Sequence, residues 1–89
     1  MTPTLALPER VLFGDATSVM LALQSGLPAE PVVQLDASAL QTFDSSVVAV
    51  LLALQRRLAT HGQRLQVCHR SERLQALLTL YGVAELLPE

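Results

Sequence analysis

The chain has 89 residues, 51% of them hydrophobic, a formal charge of −2 and one cysteine, Cys68. This balance argues against nucleic acid as a partner, because phosphate binding needs a basic face, and a lone cysteine allows no internal disulfide. No apolar run approaches the roughly 20 residues of a membrane-spanning helix, and the opening MTPTLALPER lacks the basic start and apolar stretch of a signal peptide, so a single cytoplasmic domain over residues 1–89 is expected.

Thr4–Leu7 is short, apolar and closed by Pro8, the pattern of an edge strand. Arg10–Phe13 is a second extended candidate, broken by Gly14-Asp15. Asp15 suits the N-cap of a helix Ala16–Gln24, in which Val19, Met20 and Leu23 share one buried face. Gly26 stands where a left-handed terminator belongs. Leu27–Pro31 reads as a loop. Pro31–Asp36 has the length and apolar content of a strand and ends in the polar turn Ala37-Ser38-Ala39. Leu40–Phe43 is a connector that turns Leu40 and Phe43 inward.

The central helix is expected over Ser45–Thr60, with Gly62 as its stop. Asp44 or Ser45 caps its start, each able to accept a bond from a free amide of the first turn. At 100° per residue, Val47, Val50, Leu51, Leu54 and Leu58 form one buried stripe. Ala49 and Ala53 lie on the far side with Arg56 and Thr60. Val48, Leu52 and Ala59 occupy a flank between them. The first three turns therefore lack a strongly polar face, and the flank needs a cover, either a neighbouring helix or a partner protein.

Gln63–His69 alternates, with Leu65 and Val67 on one side and Gln66 and Cys68 on the other, as in a strand. Ser71 caps a last helix whose Leu74, Leu77, Leu78 and Tyr81 form an apolar stripe to Gly82. Val83–Pro88 lays Leu86 or Leu87 back onto the core. Phe13, Met20 and Tyr81 are expected in the core or at its edge. Strands alternating with helices predict an α/β fold: a mixed, partly parallel sheet with helices on one face.

The start of the central helix is the candidate functional surface: Asp44, Ser45 and Ser46, with Val48 and Leu52 on the adjoining flank. A cap needs one of those first three side chains, which leaves the others for a partner. A serine nucleophile would need a base within hydrogen-bond reach, and His61 and His69 lie at the ends of other elements. His61, Cys68 and His69 make a poor zinc set, because Cys68 and His69 are adjacent and point to opposite faces of a strand. Five of the six basic residues, all arginines, fall between Arg56 and Arg73: Arg56, Arg57, Arg64, Arg70 and Arg73. They form either a solvated rim or an edge for an acidic partner or lipid head groups. No glycine-rich phosphate loop is present, so no nucleotide or other cofactor is expected on this chain.

A strand ending Val33-Gln34-Leu35-Asp36, then Asp44-Ser45-Ser46 opening a hydrophobic helix, resembles the STAS domain family. The ending Leu74-Gln75-Ala76-Leu77-Leu78-Thr79-Leu80-Tyr81-Gly82-Val83-Ala84-Glu85-Leu86-Leu87-Pro88 is similar to that of its MlaB-type members. The resemblance is best over residues 31–88. It implies a small mixed sheet with helices on one face and no catalysis. It also implies a cytoplasmic subunit seated on the MlaF-like ATPase of an ABC transporter, and through it on the permease at the inner membrane, in a complex that moves phospholipids between the membranes of Gram-negative bacteria. By resemblance, Ser45 belongs to the contact surface. The same family includes anti-sigma factor antagonists, whose phosphorylated residue corresponds to Ser46; this is the alternative reading, with Ser45 as a second candidate. Where many STAS domains follow the hydroxyl pair with Gly-Leu or Gly-Val, this chain has Val47-Val48, which does not permit the close backbone approach a glycine would. A homodimer or scaffold is the third possibility the sequence leaves open.

Overall fold

The computed structural model describes residues 4–87, so the first three residues and the last two, Pro88 and Glu89, lie outside the described part of the chain. Strands β1 (Thr4–Ala6), β3 (Val32–Asp36) and β5 (Arg64–Cys68) form a three-stranded parallel sheet in the order β1-β3-β5. Strands β2 (Arg10–Val11) and β4 (Thr42–Phe43) pair separately, also in parallel. Helices α1 (Ala16–Ser25) and α2 (Ser46–Thr60) are the crossovers of β1 to β3 and of β3 to β5, and α3 (Glu72–Leu80) follows β5. The α/β expectation holds. All pairings among the described residues are parallel, which sharpens the mixed sheet expected. The connector Leu40–Phe43 ends in β4, a strand too short for periodicity to reveal.

The register of β3 and β5 sets Val33 beside Leu65 and Leu35 beside Val67. All four are buried and face the helices. Their alternates Gln34 and Gln66 lie on the other face, where Gln34 Nε2 donates to Gln66 Oε1 at 3.3 Å. Helix α2 supplies six buried residues: Val47, Val48, Val50, Leu51, Leu54 and Leu58. Each such side chain gains roughly 1.5–3 kcal/mol from leaving water, before the entropy of ordering it is subtracted. Val48, at 5% exposure, is covered by the chain itself, which removes it from the expected partner-binding flank. Leu52 beside it is half-buried and packs against the core.

Both later helices end as their glycines predict. Gly62 has φ +72°, its amide donates to the Ala59 carbonyl, and the Gln63 amide donates to that of Leu58. Gly82 has φ +69°, with the same bonds from Gly82 to Thr79 and from Val83 to Leu78. These are Schellman terminations, which need the left-handed conformation that glycine takes without steric cost. Gly26 differs: its φ is −109°, so it is no left-handed terminator. A Cβ there would stand 3.4 Å from Leu5 Cδ2, an ordinary van der Waals contact.

Asp15 also departs from expectation. Its side chain makes no bond to the amides of α1. A 3-10 turn, Phe13–Asp15, runs directly into α1, and the carboxylate reaches back to the Leu12 amide and to Arg10. That turn ends the strand alternation begun at Val11 and puts Phe13 into solvent at 86% exposure, where core packing was expected. Tyr81, 52% exposed, is likewise outside the core. Leu87 returns to the core and is fully buried, while Leu86 stays exposed.

Candidate functional site

The site begins with the bonds that hold the start of α2. Asp44 Oδ1 accepts the Ser46 amide at 2.8 Å and Asp44 Oδ2 accepts the Phe13 amide at 3.1 Å. The Asp44 amide donates to the Val11 carbonyl at 3.3 Å. Of the two caps the sequence offered, Asp44 is therefore the one used. Ser45 occupies the residue before the helix, but its hydroxyl makes no capping bond and is exposed. Ser46 is half-buried. The Ser46 amide, then the Ser46 hydroxyl and the Phe13 amide, hold the Asp44 carboxyl below the usual carboxylate range. Asp15 is held low by its hydrogen bond to Arg10 and by the Leu12 amide. Asp36 is held low by the Ser38 amide and hydroxyl.

Two shallow apolar grooves flank this helix start. On one side a groove of about 320 Å³ is lined by Phe43, Asp44, Arg73, Ala76, Leu77 and Leu80. Arg73 closes its edge: the guanidinium lies 4.7 Å from the centroid of the Phe43 ring and donates to the Gln41 carbonyl at 3.2 Å. Leu80 is 78% exposed. On the other side a groove of about 260 Å³ runs between α1 and α2, lined by Ala16, Thr17, Met20, Leu21, Ala49, Val50 and Ala53. The turn bearing Phe13 leads into α1 three residues before Ala16, and the Phe13 amide is bound to Asp44.

The expected site residues thus divide. Asp44 is a structural cap with a carboxylate engaged on two amides. Ser45 is accessible. Ser46 turns partly inward, and Leu52 is accessible only in part. The arginines divide too: Arg70 is held by the Val67 carbonyl and Gln75, and Arg73 by Phe43 and Gln41, while Arg56, Arg57 and Arg64 are exposed. His61 Nδ1 lies 3.0 Å from the Arg57 carbonyl, at the far end of α2 from Ser45. Among the described residues no group of His, Cys, Asp and Glu side chains is arranged to hold a metal ion. Nor is any described helix long and apolar enough to cross a membrane.

Phe13, Leu21 and Leu80 were not legible as surface residues. Their sequence neighbours give each an apolar, core-like context. The one signal was Gly14-Asp15, which forces a turn directly after Phe13. What the arrangement offers is a contact surface: a rigidly capped helix start, a free hydroxyl and apolar grooves on both sides.

Comparison with curated proteins finds no match. Comparison with known families finds one that covers residues 1–88, described as "Mlab, STAS domain". STAS domains are in general binding domains without enzymatic activity, and membership supports a regulatory or interaction role. The match spans nearly the whole chain, and its fold is the one just described: the protein belongs to the MlaB-type STAS domain family.

Proposed function

We propose that the chain is a non-catalytic subunit that binds the ATPase of an Mla-type ABC transporter and so supports intermembrane phospholipid traffic and outer-membrane lipid asymmetry. The observation that carries this reading is Ser45: an exposed hydroxyl at a rigid helix start, beside a groove that displays Leu80 and Arg73. Half-buried Leu52 gives way to Leu80 as the apolar part of that surface. The ATPase seats on Asp44, Ser45 and Ser46 and covers the groove between Phe43 and α3. Binding then biases the ATPase toward one of its conformations, a coupling between sites that needs no chemistry on this chain. The protein works in the cytoplasm and reaches the inner membrane through the complex. Co-purification of wild-type and Ser45→Arg protein with the ATPase tests this.

A phosphorylation switch at Ser46 has weaker support. The Ser46 hydroxyl faces the Asp44 carboxylate, so a phosphate there meets a fixed negative charge and displaces a cap. Mass spectrometry after incubation with a cognate anti-sigma kinase decides that alternative.

A further inference from the structure

Arg73, Ala76, Leu77 and Leu80 have the spacing of one stripe along α3, and all of them line the groove beside Phe43 and Asp44. From Arg73 to Leu80 the stripe is about 10 Å long at the rise of an α-helix. Another exposed part of α3 answers its polar groups within the chain: Gln75 accepts from Arg70 Nη1 at 2.9 Å and donates to the Thr79 hydroxyl at 3.3 Å. Arg73 is answered only in part. Its guanidinium lies over the Phe43 ring and Nη1 donates to the Gln41 carbonyl, contacts that fix its position without supplying an anion. Asp44 lines the same groove and Glu72 precedes Arg73, yet among the described residues neither forms an ion pair with it. Both oxygens of Asp44 accept backbone amides, and Glu72 stands in the first turn of α3, where the helix dipole favours a carboxylate. We infer that the ATPase segment seated at Ser45 continues along α3, with a carboxylate on Arg73 and an apolar side chain over Leu77 and Leu80.

The inference rests on the ATPase reading and names the chemistry of the contact. Continuity is its first support. Asp44 both lines the groove and holds the helix start at Ser45, so a segment seated at Ser45 reaches the groove along one surface. Charge is the second. Among the described residues only Nη1 of the Arg73 guanidinium donates a hydrogen bond, which leaves the edge formed by Nε and Nη2 for a carboxylate, a group that arginine binds through two parallel bonds. A layer of lipid head groups is met by several cations together, and the groove lining holds Arg73 alone, beside the Asp44 carboxylate. The third is the exposed Leu80, which gives an apolar side chain of the partner a surface to cover. Because Phe43 and Gln41 already hold Arg73 in place, little side-chain freedom is lost when the partner arrives.

The test is isothermal titration of the ATPase with the full chain at about 50 and about 300 mM salt, a range over which an exposed charge pair becomes strongly screened. Wild type should bind, and less tightly at the higher salt. Arg73→Gln should weaken binding about tenfold or more at low salt and flatten the salt dependence, because the charge is gone. Arg73→Lys keeps the charge and loses the fork, so it should fall between the two and keep the wild-type salt dependence. Leu80→Ser should weaken binding with the salt dependence unchanged. Thermal melts should show each variant folded. Arg73→Glu should lose binding, and in a scan of Asp→Lys and Glu→Lys variants of the ATPase surface at least one should restore it. A scan that restores nothing overturns the inference, as does an Arg73→Gln variant with the wild-type salt dependence. If Ser45→Arg abolishes binding while Arg73→Gln and Leu80→Ser bind as wild type does, this inference falls and the ATPase reading stands. A wild-type chain that does not bind the ATPase overturns both.

Discussion

Phe13 and Asp44 are 31 residues apart and joined by one hydrogen bond, from the Phe13 amide to Asp44 Oδ2 at 3.1 Å. The other oxygen of the same carboxylate caps α2 at Ser46. One side chain thus fastens the turn before α1 to the start of α2. Because both bonds favour the ionised form, the folded-state pKa lies below the usual value. The unfolded chain therefore takes up the proton first as pH falls. The stabilisation is complete above the ordinary carboxylate pKa and is lost as pH falls through the lower folded-state value. Asp44→Ala should lower the melting temperature by a few degrees at neutral pH. Asp44→Asn keeps an acceptor without the charge, so its stability deficit should be constant near neutrality and close in acid. Urea denaturation across pH 7 to about 2.5 measures it; a deficit independent of pH contradicts the assignment.

The core and the displayed aromatic should respond oppositely to truncation. Leu51 is fully buried in the middle of α2, and Leu51→Ala should cost about 2–5 kcal/mol of stability, the range for a leucine cavity. Phe13→Ala should stay within about 0.5 kcal/mol of wild type, as surface changes do, although Phe13 is the larger residue. Chemical denaturation of both variants makes the comparison.

Gly62 and Gly26 end their helices differently and should tolerate alanine differently. At Gly62 a Cβ meets nothing within 4 Å, but φ is +72°, so Gly62→Ala should cost about 1–2 kcal/mol through backbone conformation alone. At Gly26 the φ of −109° suits alanine, and the new methyl would touch Leu5 at ordinary van der Waals distance. Gly26→Ala should be close to neutral. Melting curves with both variants at matched concentration separate these two.

The serines at the helix starts form a third contrast. Ser71 Oγ accepts the Leu74 amide at 3.1 Å, so Ser71→Ala should cost about 1 kcal/mol. The Ser45 hydroxyl makes no such bond, and Ser45→Ala should leave stability unchanged. A measurable loss at Ser45 would show it to be a capping residue and weaken the proposal that it docks a partner.

Much of this fold was legible from periodicity and stop signals. The stripe from Val47 to Leu58 places α2, the alternation of Leu65 and Val67 places β5, and Gly62 and Gly82 mark real left-handed terminators. What was not legible depends on geometry that local pattern does not carry. A strand read through Phe13 puts that ring beside Val11 in the core; the 3-10 turn beginning at Phe13 reverses it. The stripe through Tyr81 is continuous in sequence, but only Leu74 and Leu78 of it are buried, and Tyr81 at the helix end stays exposed. Val48 lies on a flank that helical projection leaves ambiguous, and the folded chain covers it. Of the candidate site, the cap and the free hydroxyl could be read as a pair but not apportioned, because Asp44 and Ser45 both have the chemistry of a cap. The second bond of Asp44, to Phe13, joins elements distant in sequence and had no sequence signal at all.

The central claim is that α2 presents its start to a partner through an accessible Ser45. The direct measurement is co-expression of the chain with the ATPase of the Mla-type transporter from the same organism, followed by affinity purification through a tag on the ATPase. Wild-type and Ser45→Ala chains should co-purify in fixed stoichiometry, and Ser45→Arg should be lost from the complex while its own melting temperature is unchanged. Ser45→Arg co-purifying as wild type does, or no complex with wild type at all, would contradict the account.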